Sequence, residues 1–540
     1  MLNNFFSSIC TVDNGVTPDF DRVAGDEVTL DHVEFSREAV LRAVKQLKMN
    51  GSCGPDGLPP LLYKSLAQCI SEPLALMFDS FMSVGRIPDE WRRAVVTPIY
   101  KGGLAADVSN YRPISLTCVA CKIMEKVITR RMLCYLYKHC LISKEQYGFL
   151  SGRSTTLNLL DALSDWTLAI NNRHSVAVAY IDYAKAFDTV SSVKLCHKLK
   201  AYGIAGNLLL WIKDFLTGRT QQTRVGNALS EITALTSGVI QGSCLGPLLF
   251  VLYINDIVGV FNNGITCKLY ADDVKMYTVV KSDIDCQRLQ QALDKLQEWS
   301  DRWQLEISHK KCSILQVGYS TKLSRDYYLC GASLSQAQSC KDLGITVDQR
   351  LTFTAHINNI VTRAHARASL IRKCFLSRDR DSLTRAFCVY VRPLLEYDCS
   401  VWSPHHVTEI RKVEAVQRRF TKRLPGLGEH DYSSRLAILD LDSLELRRLR
   451  QDLLLAYKII FGLVNVDSSK HFTNCRDSVT RGHSYKLVAS NCRVDVRKWF
   501  FNQRIVNVWN GLPATAECFA SLSTFKMFLS RTDLSDFLSF

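Results

Sequence analysis

Apolar residues recur along this chain in two rhythms, and the switches between them predict its elements. Val40, Leu41, Val44 and Leu47 fall on one helical face, with Ser36 as the cap and Gly51 beyond the end. Helical patterns also run over 61–84, from 110 to about 139, and over 154–172, 191–201 and 206–217. A buried helix is expected from Gly242 to about 260. An amphipathic one then sets Leu289, Leu293, Leu296, Trp299 and Trp303 near one face. Short runs rich in β-branched residues predict strands at 95–100, 176–182, 220–225, 232–236 and 312–317. Over 266–280 the pattern reads strand, tight turn, strand, with Asp272 and Asp273 at the tip. Helices and strands mix without strict alternation. The expected class is therefore α+β, with an antiparallel hairpin central to the sheet. Residues 1–30 read as an irregular acidic linker or edge. Beyond 346 the chain is largely helical, and its last hundred residues form a further unit around a helix at 442–462.

Composition narrows the partners. A chain of 540 residues exceeds one hydrophobic core, so two to four units are expected. With 47% hydrophobic and 22% charged residues it is globular, not disordered. A net charge of +15 favours a polyanion, most simply nucleic acid. The excess concentrates between Val361 and Pro425, where fourteen Lys/Arg face six Asp/Glu. Arg363, Arg367, Arg372, Lys373, Arg418, Arg419, Lys422 and Arg423 stand out there as phosphate-backbone contacts. The 20 cysteines lack a zinc spacing, and Cys118 and Cys121 read as core residues of a helix. Without a secretory signal they read as reduced thiols of an intracellular protein. No apolar run reaches about 18 residues, so no membrane span is expected.

Two adjacent carboxylates at a hairpin tip repel each other unless a cation lies between them, and hard divalent ions prefer carboxylate oxygens. A second acid strengthens that reading. Asp182 ends the apolar run Val176-Ala-Val-Ala-Tyr-Ile. Beside the hairpin it would bring three carboxylates together, as two-metal phosphoryl transfer to a 3′-hydroxyl requires.

The motifs in order resemble the reverse transcriptase of non-LTR (LINE-type) retrotransposons, most closely the jockey-like group. They are Gly51-Ser-Cys-Gly-Pro-Asp-Gly57, Asn110-Tyr-Arg-Pro-Ile-Ser-Leu116 and Gln146-Tyr-Gly-Phe-Leu-Ser-Gly-Arg-Ser-Thr155. Ile181-Asp-Tyr-Ala-Lys-Ala-Phe-Asp188, Gly238-Val-Ile-Gln-Gly-Ser-Cys-Leu-Gly-Pro247 and Tyr270-Ala-Asp-Asp273 follow. Leu305-Glu-Ile-Ser-His-Lys-Lys-Cys312 and Lys341-Asp-Leu-Gly-Ile345 come last. The resemblance implies a right-hand polymerase with an antiparallel palm sheet. Its divisions are a linker remnant (1–30), fingers with part of the palm (31–175), palm (176–345), a basic helical thumb (346–425) and a C-terminal helical extension (426–540).

The resemblance also implies roles. Asp182, Asp272 and Asp273 would carry two Mg²⁺ ions, with Mn²⁺ as a substitute. Phe187 falls where the family places a gate against the 2′-hydroxyl. Gln241 and Gly242 would approach the incoming dNTP and its templating base, and Arg112 and Lys101 its triphosphate. Lys311, or its neighbour Lys310, would protonate pyrophosphate. Arg153 suits template contact or an internal salt bridge. Asp188 would cap or brace the next helix. The partners implied are template RNA, primer DNA and dNTPs, in a nuclear or cytoplasmic ribonucleoprotein; no protein partner is implied. Thr480-Arg-Gly-His-Ser-Tyr-Lys486 and the segment 500–513 look like the jockey-like tail. The family's endonuclease has no counterpart in residues 1–30, so a truncated element is expected. Two other readings are a catalytically inactive or host-adopted nucleic-acid-binding remnant, and a telomerase-like or group II intron-type enzyme.

Overall fold

A computed structural model of the chain describes residues 1–25, 27–261, 264–318, 325–475 and 483–539. Its central sheet has the strand order Ser335–Ala337, Ser313–Val317, Ser175–Ile181, Asp273–Val280, Thr266–Tyr270. All pairings are antiparallel except that of Ser335–Ala337 with Ser313–Val317. Ser175–Ile181 lies between two hydrophobic cores, which explains its unbroken apolar run. Its side chains alternate faces. Ala177, Ala179 and Ile181 face a core with the helix Gly246–Ile254, while Val176 and Val178 face one with the helix Thr155–Asn171. Small alanines on the first face leave room for Phe250, Leu252 and Ile254, which are fully buried.

A second sheet runs Tyr111–Leu116, Arg93–Tyr100, Thr220–Val225, Ala228–Leu229, with Thr233–Ala234 also paired to Thr220–Val225. Here the structure corrects the sequence reading. Residues 110–116 form an edge strand, and the helix starts only at Val119. Pro113 disfavours helical backbone at Arg112, and an edge strand tolerates its missing N–H. Similarly, Gly242 lies in a turn, and the helix begins at Gly246. The start of the chain carries a helix, Leu2–Ser8, that packs on this sheet. That helix buries Phe6, and its Asn3 donates to Thr233 Oγ1 at 2.7 Å.

Beyond 346, the helices Thr354–Cys374, Val407–Lys422 and Leu444–Ile460 share one core with Thr155–Asn171. The segment after 426 therefore packs into the body of the molecule. None of the 20 cysteines forms a disulfide, and Cys118 and Cys121 are buried. Among the described residues no helix is long and apolar enough to cross a membrane. Positions 480–482 of the tail motif lie outside the described residues.

Candidate active site

Register brings the acids together. Ile181 pairs with Val274 and Tyr270 pairs with Asp273, so the strand that ends at Asp182 lies beside the acidic turn. The turn is tight, with Ala271 in left-handed backbone at φ +56°. Burial, then the charge of Asp182, pushes the Asp272 carboxyl up, while Arg112 and Lys311 pull it back. The Asp273 side chain reaches solvent, yet lost hydration, then Asp272, Asp182 and Asp342, raises its pKa to about 6. Lys311 Nζ donates to Asp182 Oδ1 at 3.0 Å.

The three carboxylates line one cleft but do not close into a ligand set. Among the described residues no three His, Cys, Asp or Glu side chains are grouped as a metal site. Lys311 already balances Asp182. The chemistry of the carboxylates still fits a hard divalent cation. Burial first, and then neighbouring acids, raise the pKa values of Asp272 and Asp273, and all three acids offer oxygen ligands.

Holding the Asp273 charge, partly desolvated and beside other acids, has a measurable cost. In protein freed of divalent ions, Asp273→Asn should raise the melting temperature near neutral pH. The native carboxyl titrates at about 6 against 3.8 for the free group. The native state thus binds its proton first, and holding the charge costs stability fully above about pH 6. The advantage of Asn should shrink as pH falls through that window and vanish below it. Thermal melts of both proteins at about pH 7.5 and about pH 3.5 test this. No gain at the higher pH would mean that the charge carries no such cost.

The acids line an open cleft. The same cleft contains Lys101, Arg112, Phe187, Gln241, Gly242 and Lys311. Sequence reasoning thus named most of its polar lining, though not Lys185 or the exposed ring of Phe149. Lys185 follows Asp182 by three residues and has left-handed backbone at φ +51°. Burial, then Lys185, Arg112 and Lys311, lowers the Lys101 pKa. Four cations therefore line the cleft within electrostatic reach of one another. Among the described residues Arg112 and Lys101 make no ion pair, which leaves both free for an anion.

Phe187 stacks on Phe250 at 4.3 Å and meets Phe149 edge-on at 5.9 Å, so it is both a packed residue and a cleft wall. Asp188 does not cap a helix. Its Oδ1 accepts from Gln241 Nε2 at 2.7 Å, and burial first raises its pKa to about 6. The closest neighbour of Gly242 is the second sheet. A Cβ there, at φ +125°, would lie 2.3 Å from the Ser115 carbonyl oxygen. Its loop is pinned from beneath by buried Glu125, which accepts from Cys244 N at 2.7 Å and Leu245 N at 2.9 Å.

The motif beginning at Gln146 clamps the hairpin, a role its residue types did not reveal. Gln146 Oε1 accepts from both Gly148 N at 2.7 Å and Ala271 N at 3.0 Å. Tyr147 N donates to Leu269 O at 2.8 Å. A Cβ on Gly148 would meet Ala271 N at 2.3 Å. A polar residue beside glycine in an apolar setting was the one available signal.

Arg153 stands outside the cleft and outside any ion pair among the described residues; its guanidinium lies 4.6 Å from the Tyr147 ring centre. The basic residues beyond 346 occupy two packed helices, Thr354–Cys374 and Val407–Lys422, and the residue just after the second. Arg363, Arg367, Lys373, Arg418, Arg419, Lys422 and Arg423 are exposed, and Arg372 is half-buried. Arg419 and Arg423 lie close enough to His365, on the other helix, to lower its pKa after burial has done so. Arg418 instead covers the Tyr432 ring at 4.8 Å.

Residues 99–347, which hold every cleft residue named above, match the family model for reverse transcriptase (RNA-dependent DNA polymerase). The central sheet and its cleft thus lie within the matched region. The chain is similar over most of its length to polymerases of jockey-like non-LTR retrotransposons. It is 30% identical over 400 residues to the RNA-directed DNA polymerase from mobile element jockey of Drosophila melanogaster, covering 72% of this chain and 44% of that relative. Its identity to the Drosophila funebris jockey polymerase is 26% over 430 residues, 78% of this chain and 46% of the relative. The probable RNA-directed DNA polymerase from transposon X-element, of Drosophila melanogaster, is 26% identical over 396 residues, 72% and 43% of the two chains. The chain spans less than half the length of these relatives.

Proposed function

We propose that this chain adds dNTPs to a primer 3′-hydroxyl under the direction of an RNA template. One observation carries the reading: a single cleft sets Asp182, Asp272 and Asp273 against Lys101, Arg112 and Lys185. Acids and cations lining one cleft match a reaction that joins a hydroxyl to a triphosphate. Asp182, Asp272 and Asp273 would hold two Mg²⁺ ions. Bound there, such ions act as Lewis acids that lower the hydroxyl's pKa and offset charge on the phosphates.

The remaining roles belong to the protein. Arg112 offers a planar pair of donors to phosphate oxygens, while Lys101 and Lys185 add point charges. Gln241 is held by Asp188, so the loop it belongs to keeps a fixed edge toward the nucleotide. Lys311 Nζ, 3.0 Å from Asp182, carries the proton for departing pyrophosphate. Phe187, backed by Phe250, blocks a 2′-hydroxyl beneath the sugar. The fingers, palm and thumb would span 31–175, 176–345 and 346–425. The exposed arginines and lysines from Arg363 to Arg423 would bind the template–primer backbone.

Extension of oligo(dT) on poly(rA) with Mg²⁺ and dTTP tests the reaction; no incorporation under Mg²⁺ or Mn²⁺ would end it. Phe187→Ala tests the gate. Opening that wall should lower the preference for dNTP over rNTP, measured as a ratio of kcat/KM, by about 10- to 100-fold. An unchanged ratio would return Phe187 to a packing role.

A further inference from the structure

The acidic hairpin rests on buried charge that is completed from the far end of the chain. Lys268 and Lys275 stand directly opposite each other across its two strands, and both are buried. Two ammonium groups side by side in a core require acids close at hand. Asp342 takes Lys275 at 2.7 Å, and Glu145 and Asp161 both take Lys268. Asp161 lies on Thr155–Asn171, one turn before Asp165. It also accepts from Tyr147 OH at 2.8 Å.

Lys470 completes this arrangement. Its Nζ lies 2.7 Å from Asp161 and 3.0 Å from Asp165. Each acid leads to one strand of the hairpin. Asp161 holds Lys268 on Thr266–Tyr270, and Asp165 accepts from Tyr277 OH, on Asp273–Val280, at 2.6 Å. Among the described residues Lys470 makes the one ion pair of Asp165. Neighbouring contacts hold the segment in place. Asn465 N donates to Gly152 O at 2.9 Å, and Arg497 Nη1 donates to Thr167 Oγ1 at 3.1 Å.

We propose that Lys470 is a positioning residue for the acidic hairpin, acting through Asp161 and Asp165 on both of its strands. The segment beyond 426 is then a working part of the polymerase site and not only an appended binding unit. This rests on the reverse-transcription reading above. Removing the ammonium leaves Asp161 with Lys268 alone, and Asp165 without an ion pair among the described residues. The helix that supports the hairpin then loses its fixed spacing from it.

The test uses the full chain with Lys470→Met, Lys470→Arg and an exposed control, Lys526→Met. Three quantities are measured: kcat and KM for dTTP in primer extension, Kd for the template–primer, and hydrogen exchange over 266–280. Lys470→Met should lower kcat by about tenfold, the scale of a lost supporting contact, with KM and Kd unchanged. Exchange in the hairpin should quicken, and Lys470→Arg should restore both. The control should match wild type. Wild-type kcat and exchange in Lys470→Met would overturn the proposal, as would a loss confined to Kd, which would make Lys470 a nucleic-acid contact. If Lys470→Met does not fold, Tyr277→Phe cuts the Asp165 link by one oxygen and should move kcat and exchange in the same direction. Wild-type values for that variant would then overturn the proposal. If wild type itself extends no primer, the polymerase reading fails, and hydrogen exchange still decides whether Lys470 steadies the hairpin.

Discussion

Asp272→Asn should reduce primer extension by about 10²–10³-fold or more, the scale of losing one group that stabilises reacting charge. Template–primer binding should be nearly unchanged. The substitution keeps size and shape, so the turn with Ala271 at φ +56° can persist. It removes one negative charge from a site where burial and Asp182 already push the Asp272 carboxyl up. The fold should therefore not suffer. The basic residues from Arg363 to Arg423 lie on other elements, so affinity for nucleic acid should survive. Extension on poly(rA)/oligo(dT) run beside a filter-binding assay separates the two effects. Equal extension by variant and wild type would sink the catalytic assignment. Parallel loss of binding and extension would point to misfolding instead.

Gly148→Ala should be nearly as damaging, although the residue bears no functional group. The added Cβ would come within 2.3 Å of Ala271 N, a backbone atom of the acidic turn. Backbone cannot swing aside as a side-chain tip can. Either the turn moves or the Gln146 clamp opens. Overpacking of this kind costs about 1–3 kcal/mol. Its effect on rate should be larger than its effect on stability. A displacement of about 1 Å at a reacting centre can cost about 10²-fold. Thermal melts together with kcat distinguish the two. A variant with wild-type kcat would mean that the turn tolerates displacement and that its placement is not critical.

These two residues also mark how far the sequence could be read. Asp272 was legible because its chemistry is in its own side chain and its apolar flanks declare a hairpin. Asp182 was legible for the same reason, at the end of a run whose alternation places Ala177 and Ala179 on one face and Val176 and Val178 on the other. Gly148 was quoted within a motif but carried no argument, since what a glycine avoids depends on what approaches it. Asp188 was misread as a helix brace because its partner, Gln241, comes from a separate loop. The strand at Tyr111–Leu116 was misread as the start of a helix, since the following run to Lys138 is helical and Pro113 fits either a helix start or an edge strand.

The sequence by itself determined the α+β class, most helices and strands, and the acids and cations that line the cleft. Each of these follows from local periodicity or from a side chain's own chemistry. Tertiary structure alone decided that the helix Leu2–Ser8 docks on a sheet through Asn3 and Phe6, and that Gln146 grips the acidic turn. It also decided that Lys470 meets the helix behind that turn. Such contacts join residues more than a hundred positions apart. No local pattern encodes them, because their energy exists only once chain folding has brought both partners to the same place.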